Sequence, residues 1–186
     1  MPWGLIFIGF CAVFLCMNRR PFPLPADTTL LLSLLPVILI LSFIDIRAGS
    51  GSISPGSVIL LLSCLALSIW GKGVSFPRQL ICGISIGTLL FLLNSGIIWQ
   101  IEQYLPPELP LALICGAVIA ALAGGHAEAV IASGIGSTLA ALVKLILLNG
   151  ETGVETLDTF GKIAASACFL RWLADYFKRR QLTNDR

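Results

Sequence analysis

The sequence predicts an all-α fold: a polytopic transmembrane bundle of about seven helices joined by short loops, with six as the fallback count. Three observations lead there. Of 186 residues, 56% are hydrophobic and 12% charged, and the mean hydropathy is +0.93, too apolar for a domain whose whole exterior faces water. The apolar residues gather into runs about as long as a bilayer is thick, since a hydrocarbon core of roughly 30 Å takes about 20 helical residues. The basic residues concentrate in alternate connections, as retention on the cytoplasmic side requires. The chain reads as a single integral membrane domain over 1–186, with a short basic cytoplasmic tail at 177–186.

Trp3 to Met17 is the first span. It has the length of a secretory h-region, but Arg19 and Arg20 follow it and no A-x-A cleavage site does, so it reads as an uncleaved helix. Thr29 to Ile44 carries Pro36 in its middle, where a kink is expected. Gly49, Gly51, Pro55 and Gly56 make the next joint loosely turned, and Ser54 to Trp70 follows. Leu80 to Trp99 opens on Gly83 and Gly87, small residues four apart that allow a second backbone to approach.

Pro106, Pro107 and Pro110 close off the following loop. Leu109 to Gly124 and Ala129 to Leu148 then form the centre of the chain, joined through Gly124, Gly125, His126, Ala127 and Glu128. Small residues run down one side of each: Gly116, Ala120 and Gly124 on the first, Ala132, Gly136 and Ala140 on the second. The expectation is a tight helical hairpin sealed along those stripes. Phe160 to Tyr176 is the last span. Because it carries Lys162, Arg171 and Asp175, an amphipathic helix lying in the interface is the alternative.

An outside amino terminus puts Arg19, Arg20, Lys72, Arg78, Lys178, Arg179, Arg180 and Arg186 inside and leaves Arg47 alone in an outside loop. The expected location is therefore the plasma (inner) membrane, amino terminus out and carboxyl terminus cytoplasmic. Trp3, Trp70, Trp99, Trp172 and Tyr176 fall near span ends, where an amphipathic ring is comfortable. A net charge of +2, with no basic run interleaved with aromatics, gives no reason to expect a nucleic-acid partner.

Cys11, Cys16, Cys64, Cys82, Cys115 and Cys168 all lie in apolar runs without CxxC or Cys/His spacing, so they read as small packing residues, and no metal or cofactor is expected. Ionisable groups inside a bilayer are functional candidates by default, which singles out Asp45, His126, Glu128 and Lys144, with Asn94 as an interhelical hydrogen-bond donor. Asp45 reads as an interfacial charge paired with Arg47, and His126 with Glu128 as either a headgroup-level turn or a proton-relay pair. Lys144 and Lys162 are placed to snorkel, and Arg171 and Asp175 to pair one turn apart. Ser133 and Ser137 lie a full seven residues from His126 and Lys144 respectively, about 10.5 Å along one helix, which is outside nucleophile–base reach.

Phe43-Ile44-Asp45-Ile46-Arg47 resembles the first aspartate segment of the type IV prepilin peptidases, a family that needs two aspartates to activate water. The second, Gly-rich aspartate motif is missing, since Gly124 to Glu128 contains no aspartate, so that resemblance implies an inactive relative. The layout of spans, the Gly125 to Glu128 joint and the terminal Phe177-Lys178-Arg179-Arg180 together resemble the YphA-like integral membrane proteins of endospore-forming bacteria. That resemblance implies a plasma-membrane or developing-spore-membrane location and carries over no catalytic residue. The expected function is a structural or partner-binding role without a catalytic site, in contact with the bilayer and with another membrane protein or a second copy. The alternative is a small carrier or channel component using His126, Glu128 and Asp45.

Overall fold

A computed structural model describes residues 4–9, 26–48, 51–71, 75–94, 109–148 and 152–184. A helical segment at 4–9 is followed by α1 (Ala26–Leu41), a two-stranded hairpin of β1 (Ile46–Ala48) and β2 (Gly51–Ile53), and α2 (Pro55–Trp70). Then come α3 (Phe76–Asn94), α4 (Leu109–Leu122), α5 (His126–Leu148) and α6 (Val154–Asn184). The protein is thus mostly helical, and the expected spans between Thr29 and Leu148 each coincide with one of these helices to within five residues, whereas the span expected at Phe160 to Tyr176 is part of a longer helix, Val154–Asn184. Most of Trp3 to Met17 lies outside the described residues, as do Cys11, Cys16, Arg19 and Arg20.

Among the described helices, α5 is long and apolar enough to cross a membrane: 23 residues, with a mean hydropathy of 2.0 over its most apolar window. By contrast, α2 has 16 residues and α4 has 14, while the 31 residues of α6 are on average more polar. The expected kink at Pro36 does not break α1, which continues through it with the proline ring exposed.

The joint expected to be loose is ordered. Ile46 pairs with Ile53, Arg47 with Ser52 and Ala48 with Gly51 in antiparallel register. Backbone groups after the hairpin are satisfied locally. Ser54 caps α2 by accepting the Ser57 N–H at 3.2 Å, with Pro55 at the first helical position where its missing donor costs nothing. Thr152 joins this end to the start of α6, donating its N–H to the Ser52 carbonyl at 3.0 Å and accepting the Ser54 N–H on Oγ1 at 3.0 Å.

α5 is the axis of the bundle; every residue from Ala127 to Thr138 is buried. Its bulky side, Val130, Ile131 and Ile135, packs into one core with Leu35, Ile38, Leu60, Leu157 and Phe160. The small side, Ala129, Ala132 and Ala140, belongs to a second core with Ile86, Leu90, Ile119 and Ile163.

The small-residue stripes do not face each other as the hairpin expectation had it. α4 and α5 are joined by a tight turn yet make little contact, and each packs on the helix two places along in the chain. Ala132, Gly136 and Ala140 of α5 meet Gly83 and Gly87 of α3, whereas Gly116 of α4 meets Ser166 and Ala167 of α6. Consecutive helices reverse direction, so both partnerships are parallel: Gly83 lies against Ala132 and Ile135, Gly87 against Gly136 and Ala140. A stripe of small residues specifies closeness of approach but not the identity of the neighbour.

A Cβ placed on Gly83 would stand 2.6 Å from Ile135 Cγ2, and one on Gly136 2.8 Å from Ile86 Cγ2. Gly83→Leu and Gly136→Leu are therefore expected to destabilise by at least the roughly 1–3 kcal/mol of an overpacked core, lowering the melting temperature in detergent. Gly9→Ala, where no atom of the described residues lies within 4 Å of the new methyl, is the control and is expected to melt like the parent. Equal melting of all three variants would contradict the seam.

Candidate functional site

Charged side chains collect at the two ends of the bundle, where helix termini leave backbone groups to satisfy. At one end α2 hands over to α3 and α4 turns into α5. Gly125 caps α5, its carbonyl accepting the Ala129 N–H at 3.0 Å, which places Glu128 at the third helical position. The cap has no side chain to accept the free N–H groups, and Glu128 supplies the acceptor. Its Oε2 takes the Gly124 N–H at 2.5 Å and its Oε1 the Ser75 N–H at 2.9 Å. Ser75 stands at the head of α3, accepting the Gln79 N–H at 3.1 Å on its carbonyl. One buried carboxylate thus holds the positive ends of two parallel helix dipoles together. Arg78 Nη1 lies 3.8 Å from Oε2, but at 54% side-chain exposure it is largely screened by solvent.

Arg171 of α6 completes this end. Its Nη2 donates to the Gly124 carbonyl at 2.6 Å, and its Nη1 donates to the carbonyls of Ala120, at 3.3 Å, and Ala123. These are the last carbonyls of α4, which otherwise have no acceptor role inside the helix, and a cation there complements the dipole. The Arg171–Asp175 pair expected from spacing does not form, because several clustered carbonyls outcompete an exposed carboxylate for one guanidinium. His126 opens α5 half-buried, among charges that include Arg171 and Asp175, and makes no hydrogen bond to Glu128. Both Glu128 oxygens are turned to backbone donors instead.

Next to the carboxylate on α3, Gln79 is 1% exposed, and neither of its side-chain amide atoms has a hydrogen-bond partner among the described residues. Residue type alone gives no warning of this, since a glutamine one turn into a helix usually faces outward.

Asp45 lies at the opposite end. Exposed between α1 and β1, it places Oδ1 3.5 Å from where a Cβ on Gly153 would stand, beyond the far terminus of α5. Glu128 is in the first turn of that helix, whose 23 residues span about 34 Å. Asp45, His126 and Glu128 therefore do not converge. Arg47 sits in β1 opposite Ser52 and does not pair with Asp45. Asn94 closes α3, with its side chain outside the described residues. Among the described residues, no group of three or more His, Cys, Asp and Glu could hold a metal ion. Cys64, Cys82, Cys115 and Cys168 are buried and form no disulfide with one another.

Near the Asp45 end, the far halves of α3 and α5 diverge from α4 and the first turns of α6 and leave a two-lobed cleft. One lobe, of about 60 Å³, is bounded by Phe91, Ser137, Lys144, Leu148 and Thr156; the other, of about 290 Å³, by Leu111, Ala112, Asp158, Lys162 and Ile163. Leu90, Glu155 and Thr159 line both. Lys162 Nζ is 2.6 Å from Asp158 Oδ2, and Asp158 Oδ1 accepts the Leu5 N–H at 3.1 Å. The sequence singled out Lys144 but not Glu155 or Thr159. The i,i+4 spacing of Asp158 and Lys162 was visible, but the convergence of α3, α5 and α6 around them was not.

Glu128→Ala removes the acceptor of two partly exposed helix-end N–H groups, a loss of about 0.5–2 kcal/mol as for a helix cap, and is expected to lower the melting temperature. Arg171→Lys is expected to fall between parent and Arg171→Ala, since a point charge cannot reach three carbonyls at once. Gln79→Met, which removes two unpartnered atoms at similar volume, is expected to raise it. A destabilised Gln79→Met would mean that the amide has a partner. Compared with known proteins, the chain matches no family model, no curated protein and no solved structure.

Proposed function

We propose that this chain is a polytopic integral membrane protein with a structural or partner-binding role, its Asp45 end outside and its Arg78–Arg171 end facing the cytoplasm. The observation that carries the reading is the chemistry of the bundle's outer surface. Val58, Leu62 and Ile69 of α2, Ile81 and Ile84 of α3, and Leu113, Ile114 and Leu122 of α4 point outward, each at least 40% exposed. No charged residue interrupts 48–71, 79–101 or 109–127. A contiguous apolar exterior on this scale is unfavourable in water at roughly 25 cal/mol per Å² and favourable against lipid tails.

The charges sort by end. Arg78, Arg171, Lys178 and Arg180 lie at or beyond one end, with Glu128 and Asp175, while at the other Asp45, Glu155 and Asp158 are matched by Arg47, Lys144 and Lys162, so the excess of positive charge is at the end read as cytoplasmic. On α6 the exposed rings of Phe169, Trp172 and Tyr176 stack in succession, at centroid distances of 6.2 and 5.8 Å, just before the basic residues. Such a belt suits the headgroup level. The 14 residues of α4 rise only about 21 Å, which the reading accommodates by local thinning of the bilayer.

Assembly rather than catalysis is favoured because Glu128 and Arg171 are both engaged with helix termini, and a relay through His126, Glu128 and Asp45 would need them gathered in one place. The resemblance to YphA-like proteins adds a process to the proposal: residence in the plasma or developing-spore membrane of an endospore former.

Extraction with alkaline carbonate is expected to leave the chain in the membrane pellet. A reporter fused after Arg186 should be active in the cytoplasm, and one inserted between Ala48 and Gly51 outside. Release into the supernatant would sink the membrane reading, and inverted reporters would sink the orientation.

A further inference from the structure

We propose that the cleft between α3, α5 and α6 is a binding site for a zwitterionic phospholipid of the surrounding leaflet, one whose head carries a phosphate and a primary ammonium. This inference rests on the membrane reading above. Four ionisable side chains line the cleft, and two are already committed: Lys162 and Asp158 neutralise each other at 2.6 Å, and the second Asp158 oxygen is taken by the Leu5 N–H. Lys144 and Glu155 remain, on walls contributed by different helices, and they do not pair with each other. The site therefore presents one cation and one anion that are held apart, a pattern that complements a ligand carrying both signs.

The floor of the cleft selects further. From Leu148 at the lip to Ser137, eleven residues of α5 descend about 16 Å, and Leu90, Phe91, Ala140 and Ala141 give the cleft an apolar stripe over that depth beside the hydroxyls of Ser137, Thr156 and Thr159. The charged pair stands at the upper level, with Lys144 one turn below Leu148 and Glu155 in the first turn of α6. A head at the water interface with a chain running down between helices is the shape of a lipid, and not that of a free ion or a sugar. The hydroxyl of Thr159, between the two lobes, adds a donor at head level. Anionic lipids would satisfy Lys144 but set a second negative charge against Glu155, so the cleft discriminates by the ammonium.

The test uses the full chain reconstituted in nanodiscs of phosphatidylethanolamine and phosphatidylglycerol and released for native mass spectrometry. The parent is expected to retain phosphatidylethanolamine in preference to phosphatidylglycerol. Lys144→Ala and Glu155→Gln should each reduce that retention at least five-fold, whereas Lys178→Ala, on the exposed far end of α6, should leave it unchanged. Lys144→Arg is expected to restore binding, which separates lost recognition from lost folding. Equal retention by parent and variants, or equal retention of the two lipids by the parent, would overturn the proposal. So would competition by free phosphoethanolamine at millimolar concentration, because the ligand would then be a soluble amine phosphate. A chain that fails to enter nanodiscs at all would overturn the membrane reading and this inference with it. A chain that enters and binds neither lipid would overturn this inference alone.

Discussion

The absence of side chains at Gly83, Gly87 and Gly136 is the constraint on which the bundle rests. Where α3 crosses α5, the Gly136 carbonyl oxygen would lie 3.1 Å from a Cβ on Gly87, and the Gly83 oxygen 3.1 Å from one on Gly136. Backbones this close exchange dispersion contacts and weak Cα–H···O bonds that no pair of larger residues permits. In the membrane setting proposed above, lipid tails are as apolar as leucine and hydrophobic burial gives little net gain, so closeness of approach would have to supply it. The rest follows geometrically: α5 turns its bulky side toward α1, α2 and α6, and its small side toward α3.

Parallel pairing of helices two apart in the chain sets a second problem, because it brings like ends of helix dipoles together. α3 and α5 start side by side, and their combined positive ends would repel without a counter-charge. Glu128 answers this by accepting from the heads of both helices, and Arg171 does the converse at the tail of α4. Both side chains are therefore explained by backbone electrostatics before any ligand is invoked. The cleft at the other end is the place where ionisable groups remain after such needs are met.

Hydropathy made the helices legible because uninterrupted apolar runs of this length satisfy their own backbone N–H and C=O groups best as helices. Gly83 and Gly87 were legible as an approach face for the same reason that Gly116 and Gly136 were: four-residue spacing aligns residues on one side of a helix. What spacing does not encode is which face meets which, and sequence adjacency pointed to the wrong pairing for α4 and α5. The β1–β2 hairpin escaped notice because three-residue strands are too short to show alternation against the apolar runs around them. Glu128 was readable as a charge suited to a helix start, but its reach to Ser75 was not, since 53 residues separate them. Lys144 was visible as an ionisable group within a span, yet its counterpart Glu155 falls between the expected spans ending at Leu148 and starting at Phe160.

One contact bears on how the protein is made. Gly4 is pressed against Gly161, and the Leu5 N–H reaches Asp158 across 153 positions of chain. A ribosome delivers the early segment long before its docking partner exists. The bundle cannot close helix by helix as it emerges; the segment at 4–9 has to wait until α6 arrives to receive it. Docking of an early segment is thus among the last steps by which these helices come together.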